Sequence, residues 1–153
     1  MKIKLLAMDV DGTLTDGRIY IGPEGEALKA FDVKDGYGIV QFRKGGGVPA
    51  IITGRSSRIV EQRCRELGIT ELHQGVADKL SCLMQIAERL DLPREEIAYM
   101  GDDVNDLQCM EFAGVSACPC DALEEVRAAA SHVCRAPGGR GAVREFLDYL
   151  SGL

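Results

Sequence analysis

Long apolar runs are missing from this 153-residue chain, and so is any cluster of lysine and arginine. No window approaches the roughly 18 continuous apolar residues of a membrane span. The short stretch from Ile3 to Met8 is followed at once by acids rather than by a small-residue cleavage site. The expectation is a cytosolic protein with no membrane contact. A formal net charge of −6, with no basic patch against it, excludes a nucleic-acid surface, so any anionic ligand must be met by a few local groups. Tryptophan is absent and low-complexity sequence nearly so, while apolar residues reach 46%, which places the chain among compact proteins rather than disordered ones. The length suits a single domain over residues 1–153 and is too short for two.

A disulfide framework is missing too. Cys64, Cys82, Cys109, Cys118, Cys120 and Cys134 lie mostly inside apolar helix or strand patterns, so buried free thiols are expected. Cys118 and Cys120 flank Pro119, but no second Cys or His pair stands nearby in sequence to complete a tetrahedral zinc site.

What is present is alternation. Ile3 to Met8, Val48 to Ile52, Ile97 to Met100 and Val115 to Ala117 are short apolar runs bounded by Gly, Pro or charge, as buried parallel strands are. Between them, Arg58 to Leu67 and Leu80 to Leu90 carry apolar residues at helical spacing, and Ala142 to Leu150 reads as a further helix. The pattern predicts an α/β fold, a Rossmann-like parallel sheet with helices on both faces and ligands beyond the carboxyl ends of the strands. One segment breaks the rhythm. Residues 17–35 read as an antiparallel β-hairpin turning at Gly22 to Gly25, too small for a cap domain. Its Ile19, Ile21, Leu28 and Phe31 need cover, by folding back on the same domain or, as is expected here, by burial against another subunit.

Chemistry gathers at the strand ends. Asp9 and Asp11 stand one residue apart after the first run, where repelling carboxylates require a cation or a retained proton. Thr53-Gly54-Arg55 follows the second run, Lys79 opens a helix, and Gly101-Asp102-Asp103 follows Ile97 to Met100 with Asp106 a turn later. Each piece recurs by chance, but their order and placement together are specific. The quartet resembles the haloacid dehalogenase-like phosphohydrolases.

On that footing the parts assemble into a phosphoryl-transfer site. Asp9 is the nucleophile that forms an aspartyl phosphate, and Asp11 is general acid and then general base. Asp9, Asp11 and Asp102 hold Mg²⁺, with Asp11 ligating through its backbone carbonyl as the resemblance implies. Thr53 and Lys79 meet phosphate oxygens, and Asp103 and Asp106 orient this machinery from behind. Taken singly, Thr53 reads as a helix cap and Lys79 as a surface charge.

Asp32 to Ile39, Ile52 to Arg55, Arg63-Cys64, Gly101 to Asp103 and Gly138 to Glu145 look like the capless 3-deoxy-D-manno-octulosonate 8-phosphate (KDO 8-phosphate) phosphatases, over nearly the whole chain. The resemblance implies a homotetramer whose hairpins meet at its centre. It implies a sugar pocket lined by the loop Asp32, Val33, Lys34, Asp35 and Gly36, with Arg55 and Arg63 contacting substrate alongside Asp11, Thr53, Gly54 and Lys79. It also implies an active-site tail over about 136–153, whose Gly138 to Gly141 stretch reads otherwise as a loop before a helix. Arg63 lies about 12 Å along the helix from Arg55, so one small ligand need not touch both within a subunit. Phosphatases of nine-carbon sialic-type sugar acid 9-phosphates are the nearest alternative. They carry an acidic residue and a lysine where this chain has Arg55 and Glu66, which favours the eight-carbon substrate. A phosphotransferase needs a lid that this chain lacks, and a noncatalytic sugar-phosphate-binding module has no need of the full set of acids.

Overall fold

A computed structural model describes residues 2–153. Six strands form one sheet: β1 (Leu5–Met8), β4 (Val48–Ile52), β5 (Glu71–His73), β6 (Ile97–Met100), β7 (Val115–Cys118) and β8 (His132–Val133). Their spatial order is β5-β4-β1-β6-β7-β8, every pairing parallel. The chain builds outward from β1 on one side, then crosses back to lay β6 against the other side of β1. The order therefore reverses between β1 and β6, and the crevice beyond their carboxyl ends is the natural ligand site of such a sheet.

Both faces are covered, which is why the central strands are apolar at every position instead of alternating. Leu6, Met8, Ile51, Ala98 and Met100 pack beneath α1 (Val33–Lys44), α2 (Arg58–Leu67) and α6 (Ala142–Ser151). Their neighbours Leu5, Ala7, Ala50, Ile52, Ile97 and Tyr99 face α3 (Lys79–Arg89), α4 (Leu107–Phe112) and α5 (Glu124–Ala129). No helix among the described residues is long and apolar enough to cross a membrane.

Residues α2 spans agree with the sequence reading, and Ser57 caps it while Gly68, at φ 73°, ends it in the left-handed region. Two differences are instructive. β5 and β8 are short, half-buried edge strands whose few residues carry no periodic signal. The segment from Asp32 to Gly36, expected as a pocket loop, is instead the capped start of α1. Gly36 and Gly38 hide that helix from propensity, and packing explains them. A β-carbon at Gly38 would lie 3.0 Å from the Arg144 side chain and 3.1 Å from that of Leu147, so glycine lets α1 and α6 approach closely.

The hairpin, β2 (Tyr20–Gly22) and β3 (Gly25–Leu28), forms a separate two-stranded sheet. Ile21 and Leu28 remain 67% and 50% exposed, so this subunit alone does not cover them.

Candidate active site

The strand ends bring the acids together across the β1–β6 crevice. Asp9 leaves β1 with its N–H still bonded to the Met100 carbonyl of β6, 3.1 Å away, which fixes the nucleophile candidate to the sheet itself. Carboxylate oxygens of Asp9, Asp102 and Asp106 lie within 4.8 Å of one another. Gly12, at φ 91°, permits the crowding, because a β-carbon there would fall 1.9 Å from Asp102 Oδ2. Burial, then the negative charge of Asp106, raises Asp9 to about 6 against the pull of Lys79. Burial, then Asp9 and Asp106, raises Asp102 to about 8. Asp102 Oδ1 is buried with no hydrogen-bond partner.

Asp106 is already fully engaged. Its Oδ1 accepts from Lys79 Nζ at 2.9 Å and from the Tyr99 hydroxyl at 2.5 Å, while Oδ2 accepts from the Asp102 and Asp103 N–H groups at 3.0 and 3.2 Å. Lys79, the first residue of α3 after its Asp78 cap, also lies 3.2 Å from Asp9 Oδ1. Burial opposes its charge, but Asp9 and Asp106 outweigh burial and hold its pKa above the ordinary lysine value. Lys79 is thus no surface lysine, being 4% exposed. Thr53 is buried at the end of β4, its N–H bonded to the His73 carbonyl of β5. The cap of α2 is Ser57, so Thr53 is not spent on that task.

These donors suit a hard cation. Asp9 and Asp102 offer oxygens, the orphaned Asp102 Oδ1 lacks any protein partner, and one lysine balances three acids. An oxygen-rich site that leaves room for waters and a phosphate is the kind Mg²⁺ takes. The Asp11 carboxylate is outside this group. It points to Lys29 Nζ at 2.7 Å and to Arg55 Nε at 3.8 Å, so its side chain is not placed as a metal ligand. Asp103, expected to orient metal waters, caps the turn Val104–Asp106 through the Val104 N–H at 2.7 Å.

Lys29 and Tyr99 escaped the sequence reading. The Lys29 side chain, 2% exposed, bridges Asp11 and Glu26 Oε2, and Glu26 Oε1 accepts from the Ser57 hydroxyl at the head of α2. Polar contacts therefore anchor the hairpin to the site while its apolar side chains face outward. A lysine among the strand residues of a hairpin gives little warning of this. Tyr99 had a clearer signal, since a tyrosine inside a fully buried strand requires a partner for its hydroxyl.

Several expected substrate contacts sit elsewhere. Asp35 is 1% exposed and does not line a pocket. Its Oδ1 accepts from the Arg144 N–H at 2.9 Å, so it caps α6, whose own N-cap residue, Gly141, has no side chain to do so. Burial raises Asp35 to about 6. Asp32 caps α1 through the Lys34 and Asp35 N–H groups, and Gly36 is buried against Arg63. Val33 and Lys34 are exposed, as are Gly54 and Arg55. The Arg63 guanidinium stacks over Phe31, 5.4 Å from the ring centre, and lies 3.7 Å from Glu66. Arg55 turns instead to Asp11, so the two arginines serve different neighbourhoods.

The Gly138 to Gly141 stretch is not a free tail. The Gly139 N–H donates to the Thr13 carbonyl at 3.1 Å, and the Gly138 N–H to Asp121 Oδ1 at 3.0 Å. A β-carbon on Gly138 would lie 2.0 Å from the Gly12 carbonyl oxygen. This loop braces the Asp9–Thr13 turn from behind, within the same subunit. α6 follows, with Val143 and Phe146 fully buried in the core.

The haloacid dehalogenase-like hydrolase family matches residues 67–147. The 3-deoxy-D-manno-octulosonate 8-phosphate phosphatase KdsC of Escherichia coli is 49% identical over 148 residues, covering 97% of this chain and 79% of its own length. The crystal structure of that phosphatase from Moraxella catarrhalis, in complex with magnesium ion, phosphate ion and KDO, is similar at a TM-score of 0.95. It is 42% identical, over 98% of this chain and 86% of its own. A cobalt-bound phosphatase of the same description from Haemophilus influenzae gives a TM-score of 0.95 at 36% identity, over 99% of this chain and 88% of its own.

Proposed function

The chain belongs to the haloacid dehalogenase-like hydrolases, in the 3-deoxy-D-manno-octulosonate 8-phosphate phosphatase family, and from that premise we infer that it is a Mg²⁺-dependent phosphatase releasing phosphate from this eight-carbon sugar acid. One observation carries the assignment of roles. Asp9 and Asp102 face each other across the β1–β6 crevice, one lysine beside them and one carboxylate oxygen unpartnered.

An Asp9 carboxylate oxygen attacks phosphorus and the bond to the C8 oxygen breaks, leaving an aspartyl phosphate. Asp11 gives its proton to the departing alkoxide. It then takes a proton from the water that cleaves the acyl phosphate, which frees inorganic phosphate and restores Asp9. Lys79, fixed by Asp106, sets a positive charge beside Asp9 where phosphate oxygens gather, and the Thr53 hydroxyl and neighbouring N–H groups hold those oxygens in line. Asp9, Asp102 and the Asp11 carbonyl are the groups that would hold Mg²⁺, which supplies charge neutralisation to the phosphoryl group. Arg55, half exposed beside Asp11, is placed to meet the sugar acid as it enters.

Exposed Ile21, Leu28 and Val33 support a homotetramer that shares its hairpins. The six free cysteines fit a reducing cytoplasm. The test is phosphate release across a panel of eight- and nine-carbon sugar acid phosphates, with and without Mg²⁺. The eight-carbon substrate should lead, metal removal should stop turnover, and Asp9→Asn should abolish it. Full activity in that variant overturns the nucleophile assignment.

A further inference from the structure

Away from the phosphoryl site, the far edge of the sheet places an imidazole, a thiol and a carboxylate at one spot. His132 and Cys134 are two residues apart on extended chain, since pairing continues past β8 through the Cys134 N–H to the Cys118 carbonyl at 2.9 Å. Alternate side chains share a face, so both point to the side covered by α6. Glu145 comes from the first turn of that helix. Ligand atoms of the three residues lie within 4.8 Å of one another, with His132 Nε2 3.6 Å from Glu145 Oε2.

Ordinary packing accounts poorly for this cluster. His132 Nε2 is buried with no hydrogen-bond partner. Its ring plane is fixed by stacking on Tyr149, 4.2 Å between centres and 17° between planes. Glu145 is aimed by the Arg135 and Ala136 N–H groups, which donate to its oxygens at 2.8–3.0 Å. Fixing a donor from behind in this way is what outer contacts do for metal ligands. The His132 and Glu145 side chains are partly exposed, whereas Cys134 lies beneath them.

We propose that His132, Cys134 and Glu145 form a second metal site, for a zinc-type transition-metal dication, with solvent in the fourth position. Nitrogen and sulfur donors distinguish it from the all-oxygen Mg²⁺ site. Metal–ligand distances of about 2.0–2.3 Å require the three groups to close by up to about an ångström, within reach of side-chain adjustment. The Cys134 thiol now donates to the Ala142 carbonyl at 3.5 Å. On binding, the S–H bond breaks, the proton leaves to solvent, and sulfur keeps the electron pair that bonds the metal. No redox change occurs. Cys118 takes no part, because its side chain lies on the opposite face of the sheet.

The test uses Co²⁺ as probe on the full-length protein kept in excess Mg²⁺. A thiolate-to-cobalt absorption band in the near ultraviolet should saturate at one equivalent, and Zn²⁺ should displace it. The phosphoryl site has no sulfur and cannot produce that band. Cys134→Ser should abolish it, and His132→Gln should weaken Co²⁺ binding at least tenfold. Zn²⁺ should also raise the unfolding temperature of the parent protein and not that of His132→Gln, which supplies the answer if Cys134→Ser does not fold. Absence of the band, or its persistence in Cys134→Ser, or an equal Zn²⁺ effect on His132→Gln, overturns the proposal.

Discussion

The Lys29 ammonium of the hairpin stands 2.7 Å from an Asp11 carboxylate oxygen, with Glu26 2.9 Å away on its other side. Burial opposes the Lys29 charge, but the hydrogen bonds it donates to Asp11 and Glu26 outweigh burial and raise its pKa. An insertion that reads as an assembly element therefore also holds the Asp11 carboxylate, the group proposed for proton transfer. Replacing Lys29 with Met should lower kcat by about 10–100-fold, a fraction of the roughly 10²–10⁴-fold that acid–base catalysis supplies, with a smaller change in KM. Steady-state phosphate release checks this, and an unchanged kcat refutes it.

Asp106 holds Lys79 and Tyr99 at once, so its loss strands both. Asp106→Ala should destabilise the fold by about 3 kcal/mol, as breaking a buried charge pair does, and should cut turnover through displacement of Lys79. Tyr99→Phe removes one hydrogen bond to a charged group and should cost about 2 kcal/mol while leaving kcat within a few-fold. Denaturant unfolding and kinetics on both variants separate the positioning role from the structural one.

Gly138 abuts the Gly12 carbonyl where no β-carbon fits. Gly138→Ala should cost about 1–3 kcal/mol through overpacking and should lower kcat by more than the stability loss explains, because the displaced turn carries Asp9 and Asp11. A variant with normal kcat would show that the turn does not depend on this brace.

In the proposed metal site, Asp9 and Asp102 would have to be ionised to hold Mg²⁺. With pKa values raised to about 6 and about 8, calorimetric Mg²⁺ affinity should fall as pH drops through that interval, with protons released on binding. The same shifts set the sign for stability. A carboxylate with a raised folded pKa stabilises most below its unfolded value, and that contribution is lost as pH rises through the folded one. Metal-free protein should therefore lose unfolding temperature as pH rises from about 4 to about 8, most steeply below about 6 where both groups contribute, and Mg²⁺ should restore it.

Glu71 runs the other way. Two hydrogen bonds from Arg89, at 2.8 Å each, and one contact from His73 lower its pKa to about 2. Its contribution is present above the ordinary carboxylate range and lost as pH falls towards 2. The gap in unfolding temperature between the parent and Glu71→Gln should be widest near neutrality and close under acid.

Where a residue's task is local, the sequence made it legible. Apolar runs ended by Gly, Pro or charge marked four of the six parallel strands, and the acids after two of them marked the site. Ser57 and Gly68 bounded α2 by capping chemistry, which needs only nearby backbone. The capping contact of Asp35 left no local signal, because its partner, the Arg144 N–H, is 109 residues away in the chain. α1 was hidden because Gly36 and Gly38 serve close packing, a demand that helix propensity does not contain.

Order along the chain was thus enough to determine a parallel α/β sheet with carboxylates at its strand ends, because periodicity and turn residues act over a few positions, while the phosphoryl-transfer chemistry rested on the resemblance those pieces bear to a known family. Only the tertiary structure decided which carboxylates meet, since Asp9 and Asp102 become neighbours through the β1–β6 pairing. It also turned Asp11 towards Lys29 and seated the glycine loop against Gly12. It joined His132, Cys134 and Glu145 across the sheet edge, because side-chain direction depends on what packs against each element.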